Sequence, residues 1–281
     1  MKNNRLMIGF AIIIFFSGSC EKEVILDLAD KEGAYLIVEA NIDNLAKNQF
    51  IKLSLSSSYY EVTSGPPVSN ASVKISGGGA EFNFTESPVD SLKGLYFNDI
   101  IAGSLKEGIN YRLRIVKDSE VYTARSVLQS VPDIDSVSLE LNLFTSMGII
   151  SDTLYDALIH FSTLPGNDAH YLVDLDINER LQTFRPSQKT VISTESLDEY
   201  VSLAVKTINK DNLEPGDTIN VKLRSISKEQ YDFYQIFFFQ TDLSGNPFAG
   251  APPANIPTNL SEGARGFFQV SSVSSARTKF P

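Results

Sequence analysis

The chain has 281 residues, with 24 basic against 34 acidic side chains and a net charge of −10 at neutral pH. So acidic a surface repels nucleic acid and anionic headgroups, which excludes both as partners held by charge. With 42% hydrophobic residues, 11 Tyr, 18 Phe and no Trp, the chain can bury one large core or two ordinary ones.

The first element is an export signal. Lys2 and Arg5 are followed by an uncharged run from Leu6 to Phe16, then by Ser17, Gly18 and Ser19. Basic, apolar and small is the order of a secretory signal. The run is well short of the ~20 residues that span a bilayer. Cys20, the only cysteine, follows the small residues, so no disulfide can form within the chain. An ordinary signal cut near Cys20 is one reading. The sharper one is a bacterial lipoprotein signal, with diacylglycerol joined to the Cys20 thiol, although Ser17 stands where a lipobox usually has Leu. Loss of Lys2 and Arg5 with the signal takes the net charge from −10 to −12. Membrane attachment of a mature chain this acidic would be by lipid and not by a basic patch.

Residues 20–33 read as a polar tether, and strand patterns begin after it. YLIVEANI (35–42) alternates, and FIKLSLSSS (50–58) puts Ile51, Leu53 and Leu55 on one face. VSNASVKISGGG (68–79) turns Ala71, Val73 and Ile75 inward and ends on three glycines, with EFNFTE (81–86) as its hairpin partner. GLYFNDI, NYRLRIVKD and EVYTARSVL complete an antiparallel sandwich. Leu105-x-x-Gly108-x-x-Tyr111-x-Leu113-x-Ile115 has the spacing of a tyrosine corner. There a glycine permits a tight arch and a buried Tyr hydroxyl bonds backbone upstream.

Leu213-x-x-Gly216-x-x-Ile219-x-Val221-x-Leu223 repeats that frame with Ile219 in place of the tyrosine, which predicts a second sandwich. SVPDIDS (130–136) is its joint to the first, because Pro132 disfavours helix at Val131 and the aspartates favour turns. LYDALIHFS (154–162), HYLVDLDIN (170–178), TVIST (190–194) and TINVKLRSI (218–226) read as strands. Residues 227–242 read as an inserted helix, with Ser227 and Gln230 at capping-box spacing. A last strand is expected near 267–274. The fold class expected is therefore mainly β. It has two successive immunoglobulin-like or transthyretin-like sandwiches, at 34–130 and 131–281, and the helix near 227–242 belongs to the second.

Chemistry is sparse. His160 and His170 lack the spacing of a metal site. Asp174-x-Asp176-x-Asn178 resembles the start of a calcium loop, but Glu179 and Arg185 occupy the required glycine and closing glutamate positions. Asp174 and Asp176 are instead expected on the outward face of a strand, and Asp133 and Asp135 in the joint. No Gly-x-Ser-x-Gly elbow is present, and Gly77-Gly78-Gly79 lacks the Lys-Ser/Thr of a phosphate loop. No catalytic residues, metal or cofactor are expected beyond the diacylglycerol on Cys20. The long Pro/Asn-rich segment 246–260 packs over the helix end or forms a partner-docking loop, with Asn246, Pro247, Phe248, Ile256 and Asn259 as its candidate contacts.

CEKEVILD, YLIVEANI, PVSNASVKI, GLYF, Gly108-x-x-Tyr111, PDIDSV, SISKEQYDFY and NPFAGAPPANIPTNLSEGARGFFQV together resemble the Bacteroidota lipoproteins grouped as domain of unknown function 4249. The resemblance covers nearly all of the mature chain. The one departure is at its end, where Gly263 and Gly266 flank Ala264-Arg265 in place of a glycine pair. The resemblance implies an outer-membrane lipoprotein, often encoded beside a TonB-dependent β-barrel receptor, and it implies no established activity. Glu21 and Glu23 are similar to acidic tags that send such proteins to the cell face. A non-catalytic accessory of the receptor, which docks on it or presents substrate, is the expected function. A structural component of the envelope and a glycan-active hydrolase are the alternatives.

Overall fold

A computed structural model describes residues 34–45, 48–57, 65–164, 168–182, 189–195, 197–242 and 256–281, with backbone alone at 239–242. All of them belong to one compact unit. Cys20, Arg185, Asn246, Pro247 and Phe248 lie outside the described residues.

The first sandwich is a single eight-stranded path folded over one core. Its strands are β1 (Leu36–Asp43), β2 (Gln49–Leu55), β3 (Ser72–Gly77), β4 (Ala80–Glu86), β5 (Leu95–Asn98), β6 (Asn110–Lys117) and β7 (Glu120–Val127), joined by a late strand, Ala264–Ser271. The path runs late strand, β1, β2, β5, β4, β3, β6, β7. Alternation works as expected: Leu36, Val38, Ala40 and Ile42 of β1 meet Val73, Ile75, Leu113 and Ile115 in the core. The β3–β4 hairpin turns on Gly78 and Gly79 at φ +60° and +82°, the left-handed conformation that a two-residue turn requires. The two ends of the path meet where Val270 N donates to Ser126 Oγ at 2.9 Å.

The second sandwich packs a three-stranded sheet on a five-stranded one. The smaller sheet has β8 (Ile134–Leu141), β9 (Leu154–Ser162) and β13 (Tyr200–Asn209), with β9 central. The larger contains β10 (His170–Ile177), β11 (Arg180–Leu181), β12 (Thr190–Ser193), β14 (Thr218–Ile226) and a final strand, Val273–Lys279. A one-turn helix, α1 (Leu143–Ser146), links β8 to β9, and α2 (Lys228–Asp242) follows β14. Side chains Leu172 and Ile226 of the larger sheet pack under Tyr234, with Tyr231, Phe233 and Phe238 beside them. The helix thereby covers the sheet face turned away from the main core.

The late strand is β15 (Ala264–Ser271) and the final one β16 (Val273–Lys279). They correct two expectations. A single strand over 267–274 is replaced by two, which change sheets at Ser272. The boundary at 130/131 also places β15 in the second sandwich, whereas it runs parallel to β1 in the first, from Leu36↔Ala264 to Asp43↔Ser271. Gly266 makes this pairing feasible, since a Cβ there would stand 2.1 Å from Val38 O. Ser225, Ser271 and Ser272, all buried, pin the crossing. Ser271 Oγ donates to Ser225 O at 2.6 Å, and Ser272 N donates to Ser225 Oγ at 3.0 Å.

Two capping details also differ from the expected box. Ser227 Oγ does accept from Gln230 N, at 3.2 Å. The Gln230 side chain does not reach back; its Nε2 donates to Asn41 Oδ1 of β1 at 3.2 Å, and Gln269 Oε1 accepts from Ser227 N instead.

Candidate functional site

The crossing between the sandwiches carries the main buried charge cluster among the described residues. Asp43 ends β1, Asp174 lies mid-β10, Arg224 lies near the end of β14, and Lys189 precedes β12. The Arg224 guanidinium bonds Asp174 Oδ2 through Nε at 2.7 Å and Asp43 Oδ2 through Nη1. Lys189 Nζ takes the other Asp174 oxygen. Gln49 of β2 donates to Asp43 Oδ1 at 3.3 Å and accepts from Asp43 N at 3.0 Å. A cavity of about 260 Å³ opens beside the cluster, lined also by Asn41, Gln230 and Tyr234.

Burial pushes the Asp174 carboxyl up, but Lys189 and Arg224 more than offset it and hold the pKa below the ordinary carboxylate value. Burial likewise lowers Arg224, and Asp174 with Asp43 raise it above its ordinary value. Asp174 and Arg224 thus stay charged at neutral pH, each paired with the other. The arrangement ties β1 of one sandwich to β10 and β14 of the other.

Asp174 and Asp176 share the face of β10 turned away from the main core, as expected, but that face is covered and each is only 7% exposed. Over Asp174 the cover includes Tyr234 of α2 and Lys189, which line the same cavity. Asp176 accepts from Asn220 Nδ2 at 2.8 Å and pairs with Lys222 at 3.5 Å. Asn178 and Glu179, at φ +50° and +65°, form the β10–β11 turn and not a calcium loop. Asp43, Lys189 and Arg224 belong to no motif. One signal was nonetheless present: alternate acids in HYLVDLDIN face alternate bases in TINVKLRSI, and Asp174 pairs in register with Lys222.

The histidines sit in different sheets with separate partners. His160 Nε2 lies 2.8 Å from Ser138 Oγ, and His170, buried, packs on the Tyr231 ring at 4.9 Å. Burial pushes the His170 pKa below its ordinary value, and the charge of Lys228 adds to this. Among the described residues no group of three His, Cys, Asp or Glu is placed to hold a metal ion. Asp133 and Asp135 are exposed at the joint. No helix among the described residues is long and apolar enough to cross a membrane.

Of the candidate docking residues, Ile256 is half-buried. The Asn259 amide is engaged within the chain: Nδ2 donates to Phe268 O at 2.7 Å and Arg125 O at 3.0 Å, and Oδ1 accepts from Phe268 N at 3.0 Å. It straps β7 to β15, beside an open cleft of about 610 Å³ that it shares with Thr123, Ser227 and Glu229.

Comparison with known proteins adds a family. No curated protein matches. Among solved structures, the chain is similar to the FN1-FN3 domains of chicken CNTN1 at 11% identity and a TM-score of 0.23, over 69% of this chain and 62% of that one. It therefore spans less than two thirds of that fragment. A cytokine receptor complex is similar at 10% identity and 0.25, over 70% and 86%. CBD12 from CALX1.2 is similar at 9% identity and 0.17, over 87% and 100%. The sandwich architecture rests on the sheets themselves and draws nothing from such scores. The family model described as a domain of unknown function, DUF4249, matches residues 21–277, and the chain belongs to that family.

Proposed function

We propose that the chain is a non-catalytic outer-membrane lipoprotein of Bacteroidota, held by diacylglycerol on Cys20, that attends a TonB-dependent receptor by docking on it or presenting substrate to it. The observation that carries the anchor is the order basic, apolar, small, then one lone thiol across the first twenty residues. A thiol is the nucleophile that a thioether to lipid needs. The family match starting at Glu21, directly after that thiol, is consistent with a mature chain that begins at Cys20. The net charge supports lipid over a basic patch as the means of attachment. Glu21 and Glu23 fit an export tag for the cell face.

The anchor is tested with Cys20→Ser in the producing cells. Acyl label is expected to vanish and the chain to leave the membrane fraction; a variant that still carries label and sediments with membranes overturns the anchor. The receptor is tested by crosslinking the lipidated chain and purifying it in mild detergent. Recovery of a β-barrel partner is expected, and its absence overturns that part of the reading.

A further inference from the structure

The loop between β8 and β9 inverts the usual arrangement of polar and apolar groups. Leu141, Leu143, Phe144, Met147 and Ile149 are 46%, 63%, 54%, 63% and 59% exposed, all within nine residues. From Leu141 to Ser151 the sequence holds no charge. The polar side chains here are engaged in holding the turn. Asn142 Oδ1 accepts from Phe144 N at 3.1 Å, and its Nδ2 donates to Asp156 Oδ2 at 2.8 Å. Thr145 Oγ1 donates to Asp152 O at 2.9 Å and accepts from Leu154 N at 3.1 Å. Ser146 Oγ donates to Leu143 O at 2.8 Å. The result is a convex apolar tip, fixed before it meets anything. Fixing a contact surface in advance lowers the ordering cost of binding, and a contiguous exposed apolar patch marks an interaction site.

Charge selects the occupant. β8 leaves the crossing at Ile134, whose N donates to Ser274 Oγ at 2.9 Å, so Leu141 and the tip stand at the far end of the second sandwich. β1 enters the crossing at Asp43, so Ala34 lies at the far end of the first. The base of the tip carries Glu140, Asp152 and Asp156, with Asp211 and Lys210 at the adjoining corner, where Lys210 N donates to Thr153 O at 2.8 Å. A second copy docked tip to tip would set these carboxylates against their own kind, and anionic headgroups would meet the same repulsion.

We infer that residues 141–149 are a docking tip for a protein partner whose apolar pocket is rimmed by Lys and Arg. This rests on the partner-docking reading above only in supposing that the partner is a protein. The test uses the full-length chain in its producing cells, with a benzophenone amino acid at Phe144 or, as control, at Ile100, which is 72% exposed on the first sandwich. The Phe144 probe is expected to give one protein adduct whose attached peptide holds apolar residues beside Lys or Arg. The adduct should fall at least ~10-fold in a Leu143→Ser/Met147→Ser background, with the urea midpoint of that variant unchanged. Adducts to lipid alone, to a second copy, or equally from Ile100 overturn the inference, as does no adduct. If the tip gives none while the chain still co-purifies with a barrel, the receptor reading stands and this one falls. An adduct to a protein that is not a barrel does the reverse.

Discussion

Gly108 and Gly216 turn the chain with left-handed φ of +75° and +93°, each ahead of a central strand. Three residues later, Tyr111 and Ile219 are almost completely buried. Past that shared frame the two arches are pinned differently. In the first, the Tyr111 hydroxyl accepts from Lys106 N at 2.9 Å, which closes the corner locally. In the second, no hydroxyl exists. Phe280 closes it from the end of the chain: Gly216 N donates to Phe280 O at 2.9 Å, and Phe280 N donates to Asp217 O at 2.8 Å. In the first, Gly108 N likewise donates to Leu128 O at 2.8 Å and Leu128 N to Ile109 O at 3.0 Å, so that arch has a partner near in sequence, at the end of β7, besides the tyrosine pin. A distant partner makes the second depend on β16, and through Ser272 on the first sandwich. Five residues beyond Ile219, the same strand carries Arg224, the tie to Asp43.

The comparison breaks severely at Arg224. Arg224→Met removes a charged partner shared by two buried carboxylates, leaving Lys189 on Asp174 and Gln49 on Asp43, and is expected to cost about 3 kcal/mol, read by urea unfolding at pH 7. Acid should narrow the gap. Asp174 has a native pKa below its unfolded value, so its contribution is present above roughly pH 4 and lost as pH falls through the native value. Wild type therefore loses stability on that limb, and the variant, lacking Arg224, loses less. An equal gap at pH 7 and pH 3 would mean that the ion pairs contribute nothing net.

Of similar size is Phe280→Ala. Phe280 is 5% exposed and meets the Tyr155 ring edge-on at 5.3 Å. Its loss opens a cavity and unpins the second arch, at about 3 kcal/mol. With the sandwiches tied through Ser272 and Arg224, one cooperative urea transition is expected to shift whole; a new early transition would show that the second sandwich unfolds alone.

Legibility followed the alternation of the strands. β1, β2, β3 and β6 were readable because their inward side chains recur every second residue. β8 and β13 were not, and each carries a register shift, between Ile134 and Ser136 and between Ala204 and Lys206. A bulge changes which parity points inward, so Val201, Val205 and Ile208 are buried at spacings of four and three. The pairing of β15 with β1 joins residues more than two hundred apart, and local patterns hold no such information. The burial of Asp174 was hidden for a related reason: whether a strand's second face meets water depends on what α2 later covers. The apolar tip at 141–149 gave no sign in sequence, since an apolar run reads first as core.

Smaller effects compare one substitution at two tyrosines. Tyr111→Phe leaves the Lys106 N–H without its acceptor beneath a buried ring and is expected to cost about 1–2 kcal/mol.

Tyr171, in the second sandwich, is equally buried, and its ring meets Phe161 edge-on at 6.1 Å. Its hydroxyl finds no partner among the described residues. Burial alone pushes its pKa up to about 12. Tyr171→Phe keeps the ring contact and removes a buried hydroxyl that bonds nothing, so it is expected to stabilise by up to ~1 kcal/mol. The alkaline limb gives a second reading. A tyrosine raised from about 10 to about 12 favours the native state below pH 10, and that stability is lost between pH 10 and 12. The variant should lose less over that range than wild type does. Opposite signs for Tyr111→Phe and Tyr171→Phe would show that the hydroxyl is a pin in one sandwich and a cost in the other. Equal destabilisation would mean that Tyr171 has a partner, and that the two modules differ less than their arches do.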